Sequence, residues 1–220
     1  MNDHLDFYMI NESLYCAKTR ILLRHKGLTW SEHPPPGGYG SNEYKKVVPS
    51  GNLPCLFTEN FILSDSEAIA EYIEEKFSRP PMLPNTPEDR AICRCQSRFH
   101  DTRLEPALRA LFNFFPPKQY SKEEIYPFIT TLKERLEQFD QFIRSEQRTF
   151  SSTLTLADCG YAITFTWIEL LLPRMNILIE LPETTQLYKT HIEEFKAVKS
   201  ELDSYKPCLK LFLDDLFKTE

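Results

Sequence analysis

The sequence predicts a small α/β sheet domain over residues 1–79 and an all-α domain over residues 88–220. Three observations carry this. Up to about Phe77, short strand-like pieces alternate with helical ones. Pro80-Pro81-Met82-Leu83-Pro84-Asn85-Thr86-Pro87 then interrupts every pattern and reads as a linker, since proline blocks both helix and sheet pairing. Beyond it the apolar spacing is helical almost throughout.

In chain order, His4 to Met9 reads as a strand, and Ser13 to Lys26 as a helix stopped by Gly27. Leu28 to His33 follows as a second strand. The turn-rich Pro34-Pro35-Pro36-Gly37-Gly38 ends it without the spacing of a phosphate cradle. Leu53 to Thr58 and Phe61 to Leu63 read as a hairpin around Glu59-Asn60. Ser64 is expected to cap a helix whose apolar positions are Ala68, Ile69, Tyr72, Ile73 and Phe77. Past the linker, Glu88 to about Phe115 is one long helical segment, with Pro106 as a site for a kink. Ser121-x-x-Glu124 has capping-box spacing before a helix to about Arg144. Thr155-Leu156-Ala157-Asp158 is a second such box, opening an apolar helix that Pro173 ends. Helices near Thr185–Ser200 and Pro207–Phe217 complete the chain.

Composition narrows the function. With 41% hydrophobic and 26% charged residues, the 220-residue chain is that of a folded globular protein. A formal charge of −6 argues against a nucleic-acid binder, which needs a basic stripe. The start, Met1-Asn2-Asp3-His4-Leu5-Asp6, lacks the basic and apolar regions of a secretion signal. No apolar run approaches the roughly 20 residues that cross a bilayer. Cys16, Cys55, Cys93, Cys95, Cys159 and Cys208 are scattered without C-x-x-C spacing, as expected of thiols in a reducing cytoplasm. The five histidines show no metal-ligand spacing, so no metal is expected.

Three local arrangements could carry chemistry. With Ser64 as cap, Asp65 and Ser66 occupy the first helical positions, where unpaired N–H groups and the helix dipole favour a carboxylate. Asp65 could meet an ammonium beside it. The same residues could equally be only a well-capped helix. Leu53-Pro54 after Gly51 suits a cis bond that turns the Leu53 backbone outward toward an extended peptide, or an ordinary edge-strand proline. Ser13 stands where strand gives way to helix; it is either an N-cap alone or a donor that favours a thiolate.

Together these segments resemble the soluble glutathione transferase family. Ser13-Leu14-Tyr15-Cys16-Ala17-Lys18-Thr19-Arg20-Ile21 is similar to the family's Ser/Cys-Pro-x-x-x-[KR]-[VT]-Arg-Ile. Pro49-x-Gly51-x-Leu53-Pro54-x-Leu56 resembles Asn-Pro-x-Gly-x-[VL]-Pro-x-Leu, and Leu63 to Ile73 resembles Leu-x-[EQ]-Ser-x-Ala-Ile-x-x-Tyr-Leu. Leu154 to Asp158 is similar to the buried capping box of the family's second domain. Leu14 replaces the usual proline, Asp65 a longer Glu or Gln, and Val48 an asparagine.

The resemblance, closest to serine-type bacterial members, implies a thioredoxin-like N-terminal domain, an all-helical C-terminal domain and a cytoplasmic homodimer. It implies glutathione as co-substrate, with Ser13 beside its sulfur, Leu53 holding the cysteinyl backbone with Pro54 in cis, and Asp65 and Ser66 binding the γ-glutamyl group. Asn52 falls where the glycine end is bound. Tyr8 and Cys16 compete with Ser13 for the sulfur. Tyr15, Arg98 and Arg103 are candidates for the electrophile site, and Asp101 for a contact with glutathione across a dimer. The implied activity is conjugation of glutathione to small electrophiles, as in detoxification. The alternatives are a non-catalytic binding or regulatory module, or a glutathione-dependent isomerase or dehalogenase.

Overall fold

The computed structural model describes residues 4–145 and 150–218; residues 1–3, on which part of the leader reading rests, lie outside them. The first half is built on a four-stranded mixed sheet in the order β2-β1-β3-β4. β1 (Leu5–Tyr8) runs parallel to β2 (Trp30–His33), with Phe7 opposite Glu32. It runs antiparallel to β3 (Cys55–Phe57), with Phe7 opposite Leu56, and β4 (Ile62–Ser64) closes a hairpin on β3. Leu5 and Phe7 are buried, as alternation along a half-buried strand requires, and Cys55 and Leu56 of the inner strand β3 are both buried.

Parallel strands need a crossover, which α1 (Leu14–Lys26) supplies. It ends at Gly27, whose φ of 66° is the left-handed conformation open to a residue without Cβ. A short α2 (Asn42–Val47), capped by Ser41, lies between the Pro/Gly loop and β3; the sequence reading has no element there. α3 (Ser66–Lys76) follows β4. This is a thioredoxin-like domain, and among the described residues every element after it is helical.

α4 (Pro87–Phe99), a π turn (His100–Leu104), α5 (Glu105–Arg109) and a 3-10 turn (Ala110–Phe114) form the long segment expected from Glu88 to Phe115. Its irregularity begins at the π turn, ahead of Pro106. The box at Ser121 and Glu124 makes both reciprocal bonds, at 2.7 and 3.2 Å, and opens α6 (Lys122–Ser145). α7 (Asp158–Arg174) takes Asp158 back to the Thr155 N–H at 2.7 Å and runs through Pro173. The end of the chain corrects the sequence reading. α8 (Glu183–Glu193) stops earlier than Ser200, and α9 (Lys196–Leu216) carries Pro207 in its interior rather than starting there.

Buried ion pairs tie the sheet domain to the proline-rich stretch and to the helical half. Lys26 pairs with Glu74 and donates to the carbonyls of Phe77 and Pro80, at 2.8 and 2.7 Å. Glu74 also accepts from the Met82 N–H at 3.1 Å, so the start of the proline-rich stretch is fixed to the sheet domain. α1 packs on α7 and α9, and Glu201 of α9 bridges Arg20 at 2.7 Å and Arg24 at 2.8 Å.

Candidate functional site

A cleft of about 740 Å³ opens where the β1–α1 loop, residues 52–53 and the start of α3 face the 98–115 segment, with α7 and α9 behind. Ser13, Tyr15, Asn52, Leu53, Asp65, Ser66 and Arg98 all line it, although they come from four separate parts of the sequence. Arg103 does not. It is exposed on the π turn, and Arg109 lines the cleft in its stead. The π turn that carries Arg103 has more residues per turn than an α-helix, so closeness to Arg98 in sequence does not place Arg103 among the cleft residues.

Ser13 is the N-cap of α1, its Oγ accepting from the Cys16 N–H at 3.3 Å. An oxygen that accepts there keeps its own proton to donate outward, beside the positive end of the helix. The loop before it is fixed from the helical half: Trp167 donates to the Tyr205 hydroxyl at 2.7 Å, which donates to the Glu12 carbonyl at 2.9 Å. The two competitors for its role are elsewhere. Tyr8 stacks on Phe57 with centroids 4.3 Å apart and does not line the cleft. Cys16 is fully buried, and burial pushes its thiol up to about 11.

The Leu53–Pro54 bond is cis, and no hydrogen bond engages the Leu53 backbone among the described residues. Asn52 is exposed at the rim, and its carbonyl accepts from Tyr44 at 2.7 Å. At α3 the expectation shifts by one residue. Ser64 ends β4, and Asp65 itself is the N-cap, with φ 92°, its Oδ1 accepting from the N–H groups of Glu67 and Ala68 at 2.9 and 3.1 Å. Ser66 is therefore the first helical residue, and its N–H has no partner among the described residues. A non-glycine residue at positive φ is uncommon, and such geometry gathers at ligand clamps.

Beneath the cleft, buried Lys18 donates to Glu67 at 2.8 Å and to both Asp101 oxygens at 3.1 and 2.8 Å. Burial alone would favour neutral lysine, but Asp101 and Glu67 outweigh it and hold Lys18 above its ordinary value. Asp101 also bonds His100 at 2.6 Å, and His100 reaches Thr164 at 2.7 Å. The imidazole lies against Gly160, where a Cβ would stand 2.6 Å from the ring. This ladder ties α1, α3 and the π turn to α7, and its spacing is invisible in the sequence. Tyr15 donates to Glu105 at 3.0 Å; burial, then that carboxylate, raise its phenol far above the ordinary range.

A second cavity of about 320 Å³ lies between α4, α6 and residues 150–155 and shares no residue with the cleft. Of the carboxylates that line it, Asp158 is engaged by Thr155 and Tyr188. No cluster of His, Cys, Asp or Glu among the described residues could hold a metal ion. No helix among them is long and apolar enough to cross a membrane.

A mixed sheet with a cis-proline directly before its inner strand β3, followed by a helical half, defines a fold class, and the comparisons agree with it. Residues 7–81 match the family model for the glutathione S-transferase N-terminal domain. The sheet-bearing part of the chain is thus similar to the N-terminal domain of the glutathione S-transferases. It is 27% identical over 196 residues to a stringent starvation protein A homolog of Coxiella burnetii, covering 87% of this chain and 89% of that protein. It is 30% identical over 130 residues to glutathione S-transferase Z2 of Arabidopsis thaliana, 54% of this chain and 58% of that protein. In fold it matches the Tau class glutathione S-transferase of mango, Mangifera indica, with TM-score 0.77 at 20% identity over 98% of this chain and 100% of that one.

Proposed function

We propose that the protein binds glutathione in the cleft, stabilises its thiolate with Ser13 and conjugates it to small electrophiles. The observation that carries this is the convergence of Ser13, Leu53, Asp65 and Ser66 on one cleft. In this reading the cysteinyl backbone pairs with the open Leu53 edge beside Pro54, and the γ-glutamyl carboxylate takes the Ser66 N–H. Its ammonium meets the second Asp65 oxygen, and Asn52 receives the glycine end. The Ser13 hydroxyl and the α1 dipole then favour thiolate over thiol, the reactive form. Homodimers in the cytoplasm and a detoxifying role belong to the same reading.

The test is the thiolate absorbance of bound glutathione against pH, in the wild type and Ser13→Ala. A hydrogen bond to a charged group contributes about 1.5–3 kcal/mol, so its loss raises the bound thiol pKa by about one to two units. Turnover of an electrophile falls roughly 10- to 100-fold while glutathione affinity holds. Unchanged thiol pKa and turnover would sink the role given to Ser13. A second reading, a binding or regulatory module of the same fold without turnover, draws on the stringent starvation protein A homolog, whose likeness spans most of both chains. Glutathione binding with no activity on any electrophile would establish it.

A further inference from the structure

Past Ser13 the cleft holds a fixed cation against an aromatic wall, and neither is used by the contacts proposed for glutathione. Arg109 pairs through Nη2 with Glu105, whose side chain is 3% exposed. Its guanidinium carbon lies 5.6 Å from the ring centroids of both Tyr15 and Phe112. One carboxylate and two rings therefore set its orientation, while 46% of the side chain stays open. Tyr15 also donates to Glu105, so the carboxylate is answered twice, and among the described residues no further hydrogen bond occupies the guanidinium, which leaves it donors for a guest.

The wall beside it is flat and apolar. Phe112 stacks on Phe115 at 4.7 Å and tilts against Trp167 at 4.9 Å. Phe212 stands edge-on to Trp167 at 6.4 Å and is partly exposed. Rings of this kind favour a planar guest, and a guanidinium grips a carboxylate through two parallel N–H bonds.

We propose that the electrophile is an aromatic compound bearing a carboxylate, its ring against Phe112 and Trp167 and its carboxylate on Arg109. This rests on the reading of the cleft as a glutathione site. With an aryl halide, the thiol first gives its proton to water. The thiolate lone pair then forms the C–S bond at the ring carbon, and the halide leaves with its bonding pair.

The test compares 4-chloro-3,5-dinitrobenzoate with its primary amide, and the glutathione conjugates of the two. Conjugate affinity is measured by calorimetry, and turnover is divided by the uncatalysed rate with glutathione. The acid conjugate is expected to bind at least tenfold tighter than the amide conjugate. Arg109→Gln should bring the two within twofold, Arg109→Lys should keep part of the preference, and glutathione affinity should stay within twofold. Equal binding of the conjugates by the wild type overturns the proposal without any variant. So does a large loss of glutathione affinity in a folded Arg109→Gln, which would give the guanidinium to glutathione itself. Failure to bind glutathione at all overturns the reading of the cleft, and this proposal with it. An acid preference among conjugates without turnover supports the proposal and removes only the transfer step.

Discussion

Asp101 shows how a single side chain in this cleft is governed by opposed effects. Burial raises its carboxyl pKa, but the hydrogen bond from His100 and the charge of Lys18 overcome this and hold it well below the usual carboxylate range. The unfolded value is about 3.9, so unfolding takes up a proton between the two. The stability Asp101 contributes is full above about pH 5 and is lost as pH falls through 4 toward the folded value. Asp101→Asn should flatten the acid limb of the stability curve in that window, measured by urea unfolding at a series of pH values. An acid limb identical to the wild type would mean that Asp101 carries no such linkage. At this scale the sequence was only partly readable. Ser13, Leu53, Asp65 and Ser66 could be found because each depends on a local signal, a cap or a proline after a turn. Lys18 meets Asp101, and His100 meets Thr164, only through packing across the molecule, and Arg109 lies beyond a π turn that no spacing announced.

Among the elements, α3 joins stability to binding at its first turn. Asp65 contributes the cap and, at φ 92°, also bears a backbone conformation that a side chain disfavours. Asp65→Ala loses the cap and keeps the strained backbone, so it should cost about 1 kcal/mol in urea unfolding. Asp65→Gly loses the same cap but relieves the backbone, and should unfold close to the wild type. Both should weaken glutathione roughly tenfold or more by calorimetry, because both remove the charged partner proposed for its ammonium. Equal stability of the two variants would refute the strain, and undiminished affinity would refute the contact. The sequence placed this cap at Ser64 because Ser64-x-x-Glu67 has box spacing, whereas the chain stays extended through Ser64 in the ladder with Cys55. It passed over α2 because six residues offer a single buried side chain, Tyr44, and so no apolar period. It split α9 at Pro207 because proline breaks most helices; here the real break, at Glu194–Phe195, has neither glycine nor proline to mark it.

Across the whole molecule, the site exists only because the two halves are locked together. α1 belongs to the sheet domain, yet it lies on α7 and α9, and Glu201, 1% exposed, holds both Arg20 and Arg24. The loop carrying Ser13 is further tied to Tyr205 and Trp167, so loosening the helical half would release the serine. The halves should therefore unfold as one unit. The two tryptophans report on them separately: Trp30 on β2 and Trp167 on α7. In Trp167→Phe and in Trp30→Phe, the fluorescence of the remaining tryptophan should lose its native value at the same urea concentration as the far-ultraviolet circular dichroism. Glu201→Leu leaves two guanidinium groups short of their partner, one of them buried. It should cost about 3 kcal/mol or more and draw the two transitions apart, with glutathione affinity falling as Ser13 loses its support. Separate midpoints already in Trp30→Phe, which keeps the Trp167–Tyr205 tie, would show that α1 couples the halves only weakly, and the Ser13 loop would then owe its position to the sheet domain alone.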